Sequence, residues 1–320
     1  MKALVLKALH DGVHYEDVPD PAPREGEALV ELRAAALNHR DVWITKGMYP
    51  GIRFPSVLGS DGVGTLDGRP VLINPSLAWG DNERFQGERF EVLGMPTAGT
   101  FAEYIAIPRE NVVDRPAHLN DAEAAALPLA GLTAYRALVS RAGAGAGDRV
   151  LVTGVGGGVA LCAMQFALAL GARVYVTSGS DAKIARALEM GAEGGANYRE
   201  QGWDAKLKEA AGAFDVIIDS ACGPEFGSLV GLADMGARIA FFGGTAGPIE
   251  KVDPFAVFWR QISILGSTMG SPSDFADMLN LVETHRIVPV VDREYPLAEG
   301  NAALERMQAG EQFGKIVLTV

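Results

Sequence analysis

The sequence predicts an α/β protein in which a doubly wound parallel sheet follows a mostly β region. Three observations lead there. Past residue 121, apolar β-branched strands alternate with helical stretches; one of those strands runs into a cluster of glycines and straight on into an apolar helix; before residue 120, short apolar runs are broken repeatedly by Gly, Pro and Asp. Regular βαβ alternation marks a parallel sheet covered by helices, whereas broken apolar runs mark strands joined by loops.

The elements follow in order. KALVLKAL, ALVELRAAAL, RPVLINPSL and FAEYIAIP read as strands of a compact domain with long loops, spanning 1–120. AGAGAGD (142–148) turns the chain into the first strand of a second domain, 121–264. Its strands are 149–155, 173–179, 214–221 and 237–244, each rich in Val, Ile and Phe, as strands buried on both faces should be. Helical stretches lie between and after them at 158–170, 181–190, 203–211 and 224–234. In the tail, 265–320, SDFADMLNLVETHRI reads as an amphipathic helix, followed by VPVVDREYPL, a helix near 298–308 and a last strand, GKIVLTV.

Composition narrows the function. The chain has 320 residues, 48% of them hydrophobic, enough for two buried cores. A formal net charge of -12 opposes extended contact with phosphate backbones, so neither nucleic acid nor an anionic membrane is an expected partner. The longest apolar run, Val159 to Leu170, contains Gln165 and falls short of the ~20 residues of a membrane helix. Cys162 and Cys222 form neither a disulfide framework nor a Cys-x-x-Cys zinc site, which suits a reducing cytoplasm. Cys162 reads as packed core; Cys222, before Gly223-Pro224, reads as accessible but without a base to activate it.

VLVTGVGGGVALCAMQFALALGARV carries the strongest chemical signal. A strand runs into Gly154, Gly156, Gly157 and Gly158, then into a helix opened by Gly158 and Val159, so backbone amides converge where glycines let a pyrophosphate come close. The best register is Gly154-x-x-Gly157-x-x-Ala160, Ala160 being the small residue that packs helix on strand. An NAD site normally carries an acid about 20 residues on. Here VYVTSGSDAK ends in Thr177, Ser178 and Gly179, and Asp181 reads as a first-turn helix acid behind an N-cap Ser180. With no carboxylate to repel it, a 2′-phosphate can sit among Ser178, Lys183 and Tyr198-Arg199; the expected cofactor is NADP. Gly243 and Gly244, after the strand ARIAFF, fall near the cofactor by the rule that ligands sit at the carboxyl ends of strands.

The pieces LNHRD (37–41), KGMYP (46–50), FPSVLGSDGVG (54–64), FAEYIAIP, EAAALPLAGLTAYRAL (123–138), the glycine turn, TSGSDAK, MGAEGGANYRE and FGKIVLTV resemble, in order and near-family spacing, the medium-chain dehydrogenase/reductase superfamily, and within it the zinc-free quinone oxidoreductase-like branch. The resemblance spans essentially the whole chain. It implies a GroES-like, mostly β catalytic domain (1–120 completed by 265–320), a Rossmann domain between, an active site in the cleft between them, and a homodimer or homotetramer. At the positions where zinc-dependent members carry Cys, His, an acid and Cys, this sequence has Asn38, Ser60, Asp61 and Leu129, and the four-Cys structural lobe is absent; no metal is expected. The stretch Asp67 to Gly99 resembles the longer entry of zinc alcohol dehydrogenases.

The resemblance places Asn38, Asp41 and Tyr49 around the nicotinamide and substrate, Asn38 and Tyr49 as donors and Asp41 as an orienting group, with Thr133 beside the nicotinamide. Lys315 either reaches the same cleft or is a surface lysine. Without a Lewis acid, hydride transfer suits an already electron-poor carbon. The expected activity is NADPH-dependent reduction of a quinone or α,β-unsaturated carbonyl. The alternatives are a metal-free alcohol or aldehyde reductase, and a non-catalytic nucleotide-binding sensor.

Overall fold

A computed structural model describes residues 1–320. The chain forms two compact units, Met1–Leu132 with Gly270–Val320, and Thr133–Met269.

In the first unit the long strand Glu27–Ala36 is the hub of a seven-stranded sheet. It pairs antiparallel with Asp61–Leu66, with Tyr104–Pro108 and with the tail strand Lys315–Thr319. Most of its length alternates buried and more exposed residues, but Ala34, Ala35 and Ala36 are all buried, because at this end both faces are covered, Ala35 packing in the cluster with Leu4, Leu37 and Ile44. Ala36 faces Asp61 on one side and Val317 on the other. That register brings Asn38, Asp61 and Lys315 to one end of the sheet. Leu4, Leu6, Leu37, Ile44, Leu58, Phe101 and Leu318 pack into the core beneath it.

The unit boundary falls later than the change in composition near residue 120. Helix Asp121–Ala125, opened by a reciprocal cap between Asn120 and Glu123, lies against strands Glu27–Ala36 and Asp61–Leu66 and so belongs to the first unit.

The second unit is one six-stranded, wholly parallel sheet. Its order is Gly194–Asn197, Arg173–Ser178, Arg149–Val152, Phe214–Asp219, Ala233–Phe241 and Ser263–Gly266, the order of a doubly wound dinucleotide fold. Val150, Val152, Val174, Val176, Val216, Ile217 and Ile239 are fully buried, as strands covered on both faces require. Helix Gly158–Ala169 is buried from Ala160 through Met164, with Cys162 in its core. The strand Gly194–Asn197 was not expected, because GGAN lacks β-branched residues. The helix expected at 224–234 is Phe226–Leu232, and the next strand begins at Ala233 rather than 237. Ser180 does precede helix Asp181–Glu189, but its side chain makes no capping bond. No helix is long and apolar enough to cross a membrane.

Candidate functional site

The glycine turn of the second unit is shaped by backbone that other residues resist. Gly154 and Gly156 have φ of 69° and 114°, in the left-handed region where glycine carries no Cβ penalty. Gly157 then caps helix Gly158–Ala169 in extended conformation with no side-chain bond to the first amides, and Gly158 and Val159 follow half-buried. Those amides stand available to an anion. A Cβ on Gly156 would lie 2.6 Å from Lys183 Cδ, so the lysine chain runs across the turn. A Cβ on Gly179 would lie 2.8 Å from Arg199 Nε and 2.9 Å from the Tyr198 hydroxyl. Tyr198 and Arg199 therefore lie against the end of the second strand, Arg173–Ser178.

The other expected residues lie at strand ends and in helix Pro128–Tyr135. Ser178 is buried and its hydroxyl donates to Val155 O at 3.0 Å, so it braces the turn from behind instead of facing a phosphate. Thr133 is buried in the interior of helix Pro128–Tyr135, its hydroxyl 3.9 Å from the Met269 sulfur. Gly243 approaches Ser220 O so closely that a Cβ would fall 2.6 Å from it, and Gly244 follows in the same loop. Cys222 is buried, not accessible: its thiol donates to Gly243 O at 3.1 Å, and burial, with Asp219 nearby, raises its pKa. Asp219 itself accepts from Thr153 Oγ1 at 2.6 Å and from the amides of Ala221 and Cys222. These bonds knit the loops at the carboxyl ends of the strands.

In the first unit the sequence pair Asn38 and Asp61 meets Lys315. The lysine is 4% exposed, which removes the surface alternative. Its ammonium donates to Leu37 O at 2.7 Å, Asn38 Oδ1 at 2.7 Å and Asp61 Oδ2 at 2.8 Å, so all three N–H groups are engaged within the protein. Asn38 Nδ2 donates to the same Asp61 oxygen at 2.9 Å, while Asp61 Oδ1 accepts from Leu129 N at 2.7 Å. Beside this cluster Arg40, also buried, donates to Ser60 Oγ and to the carbonyls of Leu93 and Met95, and its guanidinium stacks 4.8 Å from the Tyr49 ring while Nε reaches the Tyr49 hydroxyl at 3.3 Å.

Asp41 opens the helix His39–Thr45 and accepts from Asn38 N at 2.7 Å, so it orients Asn38. Its other oxygen is buried without a partner. Burial, opposed by Arg40 and the Asn38 amide, pushes its pKa from 3.8 to about 6. The folded state thus holds a proton that the unfolded chain has released, and stability falls as pH rises from about 4 through 6 by roughly 3 kcal/mol. Asp41→Asn keeps an acceptor for Asn38 but cannot ionise. Its stability relative to wild type, measured by urea unfolding, should rise by about that amount between pH 4 and 7; a pH-independent difference would contradict the assignment.

The donor set does not suit zinc, which takes three or four Cys, His or carboxylate ligands. Of Asn38, Ser60, Asp61 and Leu129 only Asp61 offers a carboxylate, and an ammonium already occupies it. Nowhere do three or more His, Cys, Asp or Glu side chains gather to hold a metal.

Sequence reasoning missed Arg40 and the burial of Lys315. The signal for Arg40 was a cation inside the polar cluster Asn38-His39-Arg40-Asp41, itself set between apolar runs; for Lys315, a charge entering a strand whose next residues are Ile, Val and Leu. Neither shows its partners without the fold.

Residues 24–117 match the alcohol dehydrogenase GroES-like domain family and residues 158–284 the zinc-binding dehydrogenase family. The zinc-type alcohol dehydrogenase-like protein YogA of Leptosphaeria maculans is 35% identical over 95% of this chain and 93% of its own length. Among solved structures, an NAD-dependent alcohol dehydrogenase is 37% identical with a TM-score of 0.93, covering 100% of both chains. The quinone oxidoreductase of Thermus thermophilus, solved also with NADPH, is 29% identical with a TM-score of 0.84, again over 100% of both. With its GroES-like and Rossmann units, this chain belongs to the medium-chain dehydrogenase/reductase superfamily and is an oxidoreductase.

Proposed function

We propose that the protein is a zinc-independent, NADPH-dependent oxidoreductase that reduces a quinone or an α,β-unsaturated carbonyl. One observation carries this reading: the only carboxylate at the former metal position is held by the Lys315 ammonium at 2.8 Å. Such a site cannot polarise a simple ketone through a Lewis acid, so its substrate must bring an electron-poor carbon of its own. Nicotinamide coenzyme supplies a hydride when bound at the glycine turn. Asn38 keeps one amide hydrogen beyond the one given to Asp61, and this N–H steadies the negative charge that develops on the substrate oxygen as the double-bond electrons move onto it. Tyr49, its hydroxyl supported by Arg40, is the second donor. A proton taken up from solvent completes the reduction, giving the saturated carbonyl or, for a quinone, the hydroquinone. The test is NADPH oxidation with 1,4-benzoquinone and with simple ketones: turnover of the quinone alone supports the proposal, and turnover of ketones alone overturns it. The latter outcome would favour the alcohol or aldehyde reductase suggested by the 67–99 segment and the alcohol dehydrogenase relatives. Tight NADPH binding without any turnover would point to a sensor.

The preference for NADP rests on Lys183 beside the turn, with Tyr198 and Arg199 around Gly179, and on the absence of an acid there. The NAD-dependent relative shows that the fold itself does not decide the coenzyme. Lys183→Ala should raise the Kd for NADPH about tenfold, the loss of one charge-assisted contact, and change NADH little; equal loss for both would contradict the phosphate site.

For assembly we favour a homodimer formed along the edge strand Ser263–Gly266. That strand pairs only with Ala233–Phe241, and the nearby helix Pro254–Trp259 exposes Phe255, Phe258 and Trp259, with Trp259 stacked on Phe255, and Phe258 edge-on to Phe255. Sedimentation should find a dimer that Trp259→Glu weakens; a monomeric wild type would refute it.

A further inference from the structure

We infer that Lys315 is a built-in cation that sets and strengthens Asn38 as the hydrogen-bond donor of the site, a positioning residue that acts on the substrate oxygen only through that amide. The inference rests on the reading of Asn38 as the oxyanion donor.

Three features of the cluster carry it. First, the amide has one possible orientation. An ammonium only donates, so the Asn38 atom 2.7 Å from Lys315 Nζ must be oxygen; an ionised carboxylate only accepts, so the atom 2.9 Å from Asp61 Oδ2 must be nitrogen. Second, Lys315 grips residue 38 twice, through its side-chain oxygen and through the carbonyl of Leu37 just before it. Asp41 holds the Asn38 N–H from the other side. Third, a full positive charge on the amide oxygen draws electron density from the nitrogen, and in a buried, low-dielectric setting this makes the remaining N–H a stronger donor. Asp61 pulls the other way. Its charge, however, is spread over three donors, Lys315 and Asn38 Nδ2 on one oxygen and Leu129 N on the other, so it offsets the ammonium's pull on the amide oxygen only in part. The lysine thus supplies positive charge where related enzymes hold a metal, but delivers it one bond network away from the substrate and cannot itself be displaced as a ligand.

Lys315→Met removes the charge while keeping much of the side chain's bulk. With saturating NADPH and 1,4-benzoquinone, kcat should fall roughly 10- to 100-fold, less than loss of a whole oxyanion donor, while KM moves less than about threefold. In an Asn38→Ala background the same change should cause no further fall. Full additivity of the two substitutions would overturn the inference, because it would make Lys315 act independently of the amide. A second readout needs no turnover. The Asn38 side-chain amide signal, identified by its loss in Asn38→Ala, should move upfield in Lys315→Met and stay near its wild-type position in Lys315→Arg; an unmoved signal in Lys315→Met would also overturn it. If wild-type protein reduces neither quinones nor enones, the functional reading fails, and the amide shift still decides the role of Lys315. Should Lys315→Met not fold, Lys315→Gln keeps a donor at this place without the charge and leaves Asp61 intact, and the same upfield shift is expected of it, with an unmoved signal again overturning the inference.

Discussion

Gly156→Val should abolish useful coenzyme binding, raising the Kd for NADPH by about 100-fold or more while leaving the protein folded. Two costs coincide at this position. The backbone at φ of 114° is strained for a β-branched residue, and the new Cβ would collide with Lys183 Cδ at 2.6 Å. Strain of this kind is worth roughly 1–3 kcal/mol. The chain can relieve it only by opening the turn, which takes the first amides of helix Gly158–Ala169 away from the diphosphate they are proposed to hold and displaces Lys183 at the same time. The second strand and the helix lie in the protein core and should persist, so unfolding should stay cooperative with its midpoint lowered by only about 2–10 °C. Fluorescence titration with NADPH is the direct measurement. Binding within about threefold of wild type would remove the turn from the coenzyme site.

Asp61→Leu should be the most destabilising single change in the Asn38–Asp61–Lys315 cluster, costing roughly 3–5 kcal/mol in urea unfolding. The carboxylate serves three donors at once, and its loss leaves a buried ammonium facing a hydrocarbon side chain, with the Leu129 amide unpaired. The combination Asp61→Leu/Lys315→Met removes both charges and should recover most of that loss, because a buried ion pair replaced by apolar groups of similar size is often close to neutral in stability. Additive losses in the double variant would show that the two side chains do not form an energetic pair.

Much of this could be read without coordinates. The glycine turn was legible because strand, glycines and helix are adjacent in sequence, and the same locality made the helix 158–170 and the strands around it easy to place. The strand Gly194–Asn197 was invisible because a tertiary slot, not β-propensity, makes it a strand. Asn38 and Asp61 were brought together in the sequence by the resemblance, which sets both at metal-ligand positions. Their third partner was not, since the charge of Lys315 is explained only by the register that sets Val317 opposite Ala36. Ser178 shows the converse limit: its type and place suited a phosphate, but burial turned its hydroxyl onto Val155 O.

The tail strand has a consequence for how the chain must be made. Asp61 and the ammonium that neutralises it are 254 residues apart, with the whole second unit encoded between them. During synthesis at the ribosome, the second unit can collapse on its own contiguous segment, whereas Ala34–Ala36 of the hub strand wait with one edge bare beside an unmatched Asp61 on the neighbouring strand. Vectorial folding therefore completes the Asn38–Asp61–Lys315 cluster last, and a nascent chain interrupted before residue 315 would present the short open edge at Ala34–Ala36 to chaperones or to aggregation.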